Sequence, residues 1–462
     1  MLLEGHTAKK GMAAVRFSPN VNLGPGSAGE NTAGRAASNC MTGNDSLLGG
    51  GRTARPADRG TMPRRRRPGV LRDSALALAV AVACATGTVA AATAAPARAA
   101  GHLAHLTRAS SSGLAAGQTG TRSEVPWTKV GPGWALADYT TGDGKNAGPV
   151  ALYLVDPQGG KYKVYQWPAT TAPLRLIAWS GDKTRALLTP VTRGGIRLEQ
   201  LDLITGKLTS FKLPASVGSV FGYTNPEGDN ILVQQDGIAR YNLAGKFQMR
   251  LIKGLQFNQA ISAANGQSEV VDAPAGLDVV SNTGGVISRI RVPAVNKSGG
   301  CIPARWWSAT VVLARCGVNG TINGTRLWLV PVSGAAPTAL TAVRDGKGID
   351  LADMDGWKFR SGLYVQAIGA CGNQFIGKQA ANGTVSVVNP PHSDGTNIVT
   401  ATAGSKMLVR EVFEGCFPND ALVWFDPATG SVTKVLPAPK GGWGVLDVVA
   451  YNRNGEEPSG VE

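Results

Sequence analysis

The feature that most limits the fold is a turn that recurs seven times. Residues 152–160 read LYLVDPQGG, and the same apolar run closing on glycine returns as LEQLDLITG, IARYNLAG, LDVVSNTGG, LWLVPVSG, FIGKQAANG and LVWFDPATG. The aligned glycines are Gly160, Gly206, Gly245, Gly285, Gly334, Gly383 and Gly430, spaced 39 to 49 residues apart. An Asp-Pro pair, as at Asp156-Pro157 and Asp426-Pro427, presets a type I turn. Glycine then enters the left-handed conformation that closes the hairpin. Each copy follows a second polar turn and a short apolar strand, as in AWSGDKTRALLT (178–189) and ATAGSKMLVRE (401–411). Four short strands in a period of about 45 residues, with no helical periodicity after residue 120, are the signature of propeller blades. Six blades over the same span would need about 54 residues each, outside the usual range. The sequence therefore predicts an all-β fold, a seven-bladed β-propeller of four-stranded antiparallel blades over residues 125–451. The run WGVLDVVAY (443–451) has no hairpin of its own and is expected to pair near the first blade and close the ring.

Trp179-Ser180-Gly181-Asp182, followed by Leu187-Leu188, resembles the inner hairpin of TolB-type, WD40-like propeller repeats. What the resemblance implies is a propeller fold and a binding module of exported bacterial type. It assigns no catalytic residue.

The front of the chain reads as export machinery. Arg64 to Arg67 are followed by an Ala/Val-rich apolar stretch ending in Ala97-Arg98-Ala99, the layout of a signal peptide with a small-x-small cleavage site. Met62 stands two residues before the arginines, so translation is expected to start there. Residues 1–61 then form an over-extended or disordered segment, 62–99 the signal peptide, 100–124 a flexible linker and 452–462 a tail. The product is expected to be secreted, with no integral membrane span after processing. Cys84, in AVAC, is the minor alternative of a lipidated surface protein. Of the formal charge of +15, residues 1–100 carry +8 and the remainder +7, spread singly. No basic stripe is present, so nucleic acid is not an expected partner.

Chemistry is sparse. His392 alone of the four histidines falls in the propeller, which excludes a histidine-rich zinc site and leaves a Ser-His-Asp triad one residue to build on. Asp345, Asp350, Asp353 and Asp355 hold a fragment of calcium-loop spacing without the full run or the terminal Glu. No metal, cofactor or catalytic residue is therefore assigned.

The remaining signal is loop length. Connections between the second and third strands look long in the first, fifth, sixth and seventh blades and short in the second to fourth. These long connections cluster on one side of one face. Tyr139, Arg305, Trp306, Trp307, Arg315, Phe375, Glu411, Phe413, Glu414 and Phe417 would supply that face with aromatic and charged groups for a protein, peptide or cell-envelope component. The rival reading is a propeller-fold enzyme, a lyase or glycosidase-like hydrolase with carboxylates near the central channel. Four cysteines follow the signal segment, and an even count in an exported chain points to disulfides. The loop assignments place Cys301 and Cys316 around one inner hairpin, and Cys371 and Cys416 in equivalent loops of adjacent blades. Cys301–Cys316 and Cys371–Cys416 are the expected pairs.

Overall fold

The computed structural model describes residues 113–451, apart from 143–147, 169–173, 191–195, 255–256, 258, 294–299, 318–324, 344–348, 394, 414–418 and 441. The expected segments 1–61, 62–99 and 452–462 lie outside the described residues.

The architecture is all-β. The first strands are β1 (Thr119–Thr121), β2 (Ala135–Thr140), β3 (Val150–Val155) and β4 (Lys161–Gln166). Two four-stranded sheets follow. The first comprises β5 (Leu174–Trp179), β6 (Arg185–Pro190), β7 (Arg197–Asp202) and β8 (Leu208–Lys212). The second comprises β9 (Ser219–Tyr223), β10 (Asn230–Gln234), β11 (Gly237–Asn242) and β12 (Phe247–Lys253). Next come β13 (Ala260–Ser262), β14 (Ser268–Ala273), β15 (Gly276–Ser281) and β16 (Val286–Arg291). A single pair, Ala273 with Cys301, joins them to β17 (Cys301–Ser308), β18 (Val311–Cys316), β19 (Arg326–Pro331) and β20 (Thr338–Ala339). Another separate four-stranded sheet holds β21 (Ala352–Phe359), β22 (Gly362–Ile368), β23 (Gln374–Gln379) and β24 (Val385–Val387). The last strands are β25 (Thr396–Ala403), β26 (Lys406–Val412), β27 (Asn419–Asp426), β28 (Ser431–Leu436) and β29 (Trp443–Ala450).

Within every set the pairing is an antiparallel meander. Successive sets pack in chain order: β29 on β5, β5 on β9, β9 on β13 and β13 on β17. Strands β18 and β19 lie on β21, β23 on β25, and β25 on β29, so the last set returns to the first. This is the layer arrangement of a β-propeller. The return is made as expected. Strand β29 pairs antiparallel with β2 from Ala135–Ala450 to Thr140–Gly444, and it touches β27 in a two-residue parallel pair. One expectation needs correction. The stretch read as a flexible linker, 100–124, carries β1, which adds in parallel outside β4, and a short 3-10 turn at Arg122–Glu124.

The sequence pattern acts through the turns. Asp156 Oδ1 accepts from the backbone N–H of Gln158 and Gly160, and Asp202 Oδ1 from Ile204 and Thr205. Asn242 and Asp426 do the same at the matching positions. A short acceptor that caps the turn is therefore the shared device, and proline is optional. Left-handed glycine follows at Gly206, Gly245, Gly285, Gly334, Gly383 and Gly430. In the first copy that role falls to Gly159 instead of Gly160. The core lies between neighbouring sheets. Trp424, Tyr162, Tyr241, Tyr364 and Phe425 are the largest fully buried side chains. Trp424 also donates to the Asp156 carbonyl at 2.9 Å, tying β27 to the first meander's turn.

Candidate functional site

A meander alternates its connections between two faces, so every second-to-third-strand connection opens on the same side. In chain order these connections hold nine residues (141–149), six (191–196), two (235–236), two (274–275), nine (317–325), five (369–373) and six (413–418). The run 191–196 had been expected to be short. It is not, so the long connections belong to five consecutive sets, and only the β9–β12 and β13–β16 sets are plain.

The described side chains on that face do not form the open array expected. Glu414 and Phe417 lie outside the described residues, as does Cys416; nothing is said of the Cys371 side chain. Phe413 is half-buried just after β26. Phe375 is a correction: alternation along β23 turns it inward, where it is buried with Leu313, Leu327, Val365 and Ala367. Trp306 is buried too, and its indole donates to the Ser262 carbonyl at 2.8 Å. Trp307 points the other way and stays half-buried, the opposition expected of adjacent strand residues.

Arg305 is engaged in packing. Its Nε donates to Asp355 Oδ1 at 3.0 Å and its Nη2 to the Gly356 carbonyl, and the guanidinium lies over the rings of Trp307 and Trp357 at 5.3 and 5.7 Å. Arg315, on β18, donates to Met354 Sδ at 3.0 Å, and burial lowers its pKa. Both arginines join the β17–β20 set to the β21–β24 set. Sequence reasoning missed this because the partners lie some 40 to 50 residues away, on a strand whose facing side was not fixed.

Cys301 and Cys316 form a disulfide, S–S 2.04 Å. They occupy strand ends and not loops. They are register partners across β17 and β18, with Cα atoms 4.1 Å apart.

The strongest concentration of buried polar groups sits where the ring closes. Tyr139 on β2 donates to the Pro437 carbonyl at 2.9 Å. Asp138, its neighbour, faces the other way and has no solvent exposure. Neither of its carboxylate oxygens has a hydrogen-bond partner among the described residues. Burial, and then the adjacent Asp447 of β29, push its pKa well up. Asp447 is raised by burial against the opposing pull of Arg175 and Arg410, and it pairs with Arg175 at 3.9 Å. Arg410 on β26 holds Asp420 Oδ2 through Nε and Nη2 at 2.9 and 2.5 Å. Asp420 Oδ1 is buried without a partner among the described residues, as are Asn419 Oδ1 and Trp443 Nε1. Glu411, beside Asn397, is buried, which raises its pKa against the pull of Lys434. Trp443 carries a φ of +80°, a conformation that costs a non-glycine residue of order 1–3 kcal/mol.

Strain and unmet hydrogen-bonding capacity thus coincide at the entry of β29, on the long-loop face. Glu411 and Tyr139 were expected in the loops of this face, but they lie within β26 and β2, and Glu411 is buried. Asp138, Arg410, Asp420, Trp443 and Asp447 were not expected, because their spacing in the sequence carries no motif. The expected calcium fragment also changes character: Asp353 is fully buried within β21 and Asp355 is taken by Arg305. His392 is exposed at a turn, with φ +66°. No described helix is long and apolar enough to cross a membrane.

No protein-family model matches the sequence, and no curated protein matches it significantly. Among solved structures the chain is similar to TolB from Acinetobacter baumannii at 15% identity and a TM-score of 0.37, covering 68% of this chain and 66% of that one. It is similar to a puromycin-hydrolyzing peptidase from Mycobacterium tuberculosis at 14% and 0.40, covering 71% and 57%. It is also similar to the β-propeller domain of the Trilobed protease from Pyrococcus furiosus at 10% and 0.42, covering 67% and 96%. The chain thus spans just under two thirds of the TolB chain and little more than half of the peptidase. These structures include TolB-type and other β-propellers, and similarity at this level assigns no activity.

Proposed function

We propose that the chain is an exported seven-bladed β-propeller that acts as a non-enzymatic binding module. The reading of seven blades is supported if the two composite sheets are divided at their weak joins, the single Ala273–Cys301 pair and the two-residue β27–β29 pair. Each half is then one meander. The first blade takes β29 as its inner strand, next to β2, β3 and β4. Export rests on the basic, apolar and small-x-small layout of residues 62–99, with lipidation at Cys84 as the minor alternative.

The observation that carries the binding reading is the grouping of long connections over five consecutive blades, above the polar cluster at the ring closure. The partner class is a protein, a peptide or an envelope glycan, held through Tyr139, Phe413 and the loops around them. The enzyme reading has one observation in its favour, the paired carboxyls of Asp138 and Asp447. Asp138 is fully buried, however, so this pair presents a substrate with only one of the two acids that glycoside hydrolysis uses. Capture from a cell-envelope fraction by the immobilised full chain tests the proposal. Phe413→Ala should lose the captured component, and Thr205→Ala, at a turn on the other face, should retain it. Equal retention by both variants would remove the loop face from consideration.

A further inference from the structure

The opposite face carries a cavity of about 230 Å³ between the β9–β12 and β13–β16 sets. It is bounded by the turn 224–229, by Asn265 and Gly266 of the next inner hairpin turn, and by Asn282, with Arg240 and Glu269 also on its wall. Glu269, on β14, is 2% exposed, and its Oε2 accepts from Ser262 Oγ at 2.5 Å. Ser262 is itself fixed from behind, since its carbonyl accepts from Asn225 Nδ2 and from the Trp306 indole. Arg240, on β11, donates through Nη2 to Met249 Sδ at 3.0 Å, while its buried Nε has no partner among the described residues. Gly266 is required at the rim, because a Cβ there would fall 2.2 Å from the Asn225 carbonyl oxygen.

The lining decides the ligand by elimination. Pro226 is its one apolar side chain, so a hydrophobic ligand finds no wall to cover. An anion meets Glu227, Asp229 and Glu269, and at the floor the buried Glu269 carboxyl is already faced by the Arg240 charge, so a cation gains little there. What remains is an uncharged ligand that can give hydrogen bonds to a carboxyl and to amide oxygens, and accept them from amide nitrogens. A hydroxyl does both at one atom. At about 230 Å³ the cavity lies below the range of drug-sized sites and suits a ligand of one ring. We infer that this cavity is a saccharide-binding pocket taking a single pyranose ring or the end of a glycan chain. Glu269 accepts from ring hydroxyls, and the Asn265 amide donates to them. The pocket is independent of the loop face, so it stands whether or not that face binds a partner.

Saturation-transfer NMR on the full chain tests this with glucose, galactose and N-acetylglucosamine as probes. At least one should receive magnetisation through its ring protons. Asn265→Asp keeps the acceptor that the Gln267 N–H needs for the turn but removes the amide donor, and Glu269→Gln keeps the shape of the pocket floor. Asn265→Asp should weaken binding at least tenfold at an unchanged melting temperature, and Glu269→Gln at a melting temperature no lower than that of the unaltered chain, while Thr205→Ala leaves binding unaltered. Should Glu269→Gln unfold, Asn265→Asp decides alone. The inference is overturned if none of the three sugars shows transfer, if transfer survives Asn265→Asp, or if arginine amide binds and the sugars do not.

Discussion

The Tyr451 hydroxyl donates to the Gly181 carbonyl oxygen at 2.8 Å, joining the residue after β29 to the β5–β6 turn 270 positions away. The ring of Tyr451 also meets Trp179 edge-on at 5.2 Å and lies under Lys183 Nζ at 5.5 Å. The turn it meets is stiff on its own account, since Asp182 Oδ1 accepts from Ser180 Oγ and from the Thr184 N–H, and Trp179 donates to the Lys183 carbonyl. The chain's late strand is thus held both by β2 and by the neighbouring hairpin. Tyr451→Phe should cost about 1 kcal/mol, the net value of one hydrogen bond. Tyr451→Ala, which also empties a buried site, should cost roughly 3 kcal/mol. Urea denaturation followed by tryptophan fluorescence distinguishes the two, and equal midpoints for Phe and wild type would show the hydroxyl contributes nothing.

Reducing the Cys301–Cys316 bridge should lower stability. On the chain-entropy model a 15-residue loop contributes about 3 kcal/mol. Calorimetry with and without reductant reads that loss, and Cys316→Ser should reproduce it. Peptide mapping under non-reducing conditions should in addition join Cys371 to Cys416. A fragment linking Cys316 to Cys371 would contradict both the pairing and the order of blades.

Glu269 gives stability a definite pH dependence. Burial raises its pKa from 4.5 to about 7, against the pull of Ser262 and of the Arg240 charge. A raised carboxyl means that the folded state holds the proton more tightly than the unfolded chain. Its contribution is therefore complete below about pH 4.5 and is lost as pH rises toward 7, by roughly 3 kcal/mol at most. Glu269→Gln cannot ionise and should flatten the stability profile between those limits. An unchanged slope in the variant would place the titration elsewhere. Asp138, pushed up by burial and Asp447, should add a loss of the same sign, which Asp138→Asn removes.

Arg305→Lys should separate charge from shape. Lysine keeps the pairing with Asp355 but gives up the fork to the Gly356 carbonyl and the planar stacking between Trp307 and Trp357. Thermal unfolding should fall by several degrees, with no change in capture by the loop face beyond what that loss of folded protein explains. Selective loss of capture at full stability would return Arg305 to the list of ligand contacts.

Much of the fold was legible because the turn chemistry repeats. Asp156, Asp202, Asn242 and Asp426 cap their turns from the same position, and the apolar run before each is a strand buried between sheets. The closing role of 443–451 could be read as well, from an apolar run that lacked a hairpin. The candidate site was less visible. Loop length pointed to Tyr139 and Glu411 only as loop residues, whereas both lie in strands, and Asp138, Arg410, Asp420 and Asp447 come together only through the β2–β29 and β26–β27 pairings. Phe375 and Trp306 were misplaced for one reason: a residue near a loop was taken to face it, whereas strand alternation sent the side chain inward. Arg305 was misplaced because its partners, Asp355 and Gly356, lie on the neighbouring set. The linker reading of 100–124 failed over β1, whose three residues hold too little pattern to announce a strand that docks in parallel.

The pairing of β29 with β2 has a kinetic consequence. The two strands that complete the first sheet are separated by some 300 residues of chain, so their contact can form only after every intervening meander exists or remains loose enough to let the ends meet. Contacts at such separation slow folding, and until this one forms β2 presents an unpaired edge to solvent. The interval before closure is the protein's most exposed moment. A chaperone or a high protein concentration should therefore act on the yield of folding far more than on the stability of the finished ring.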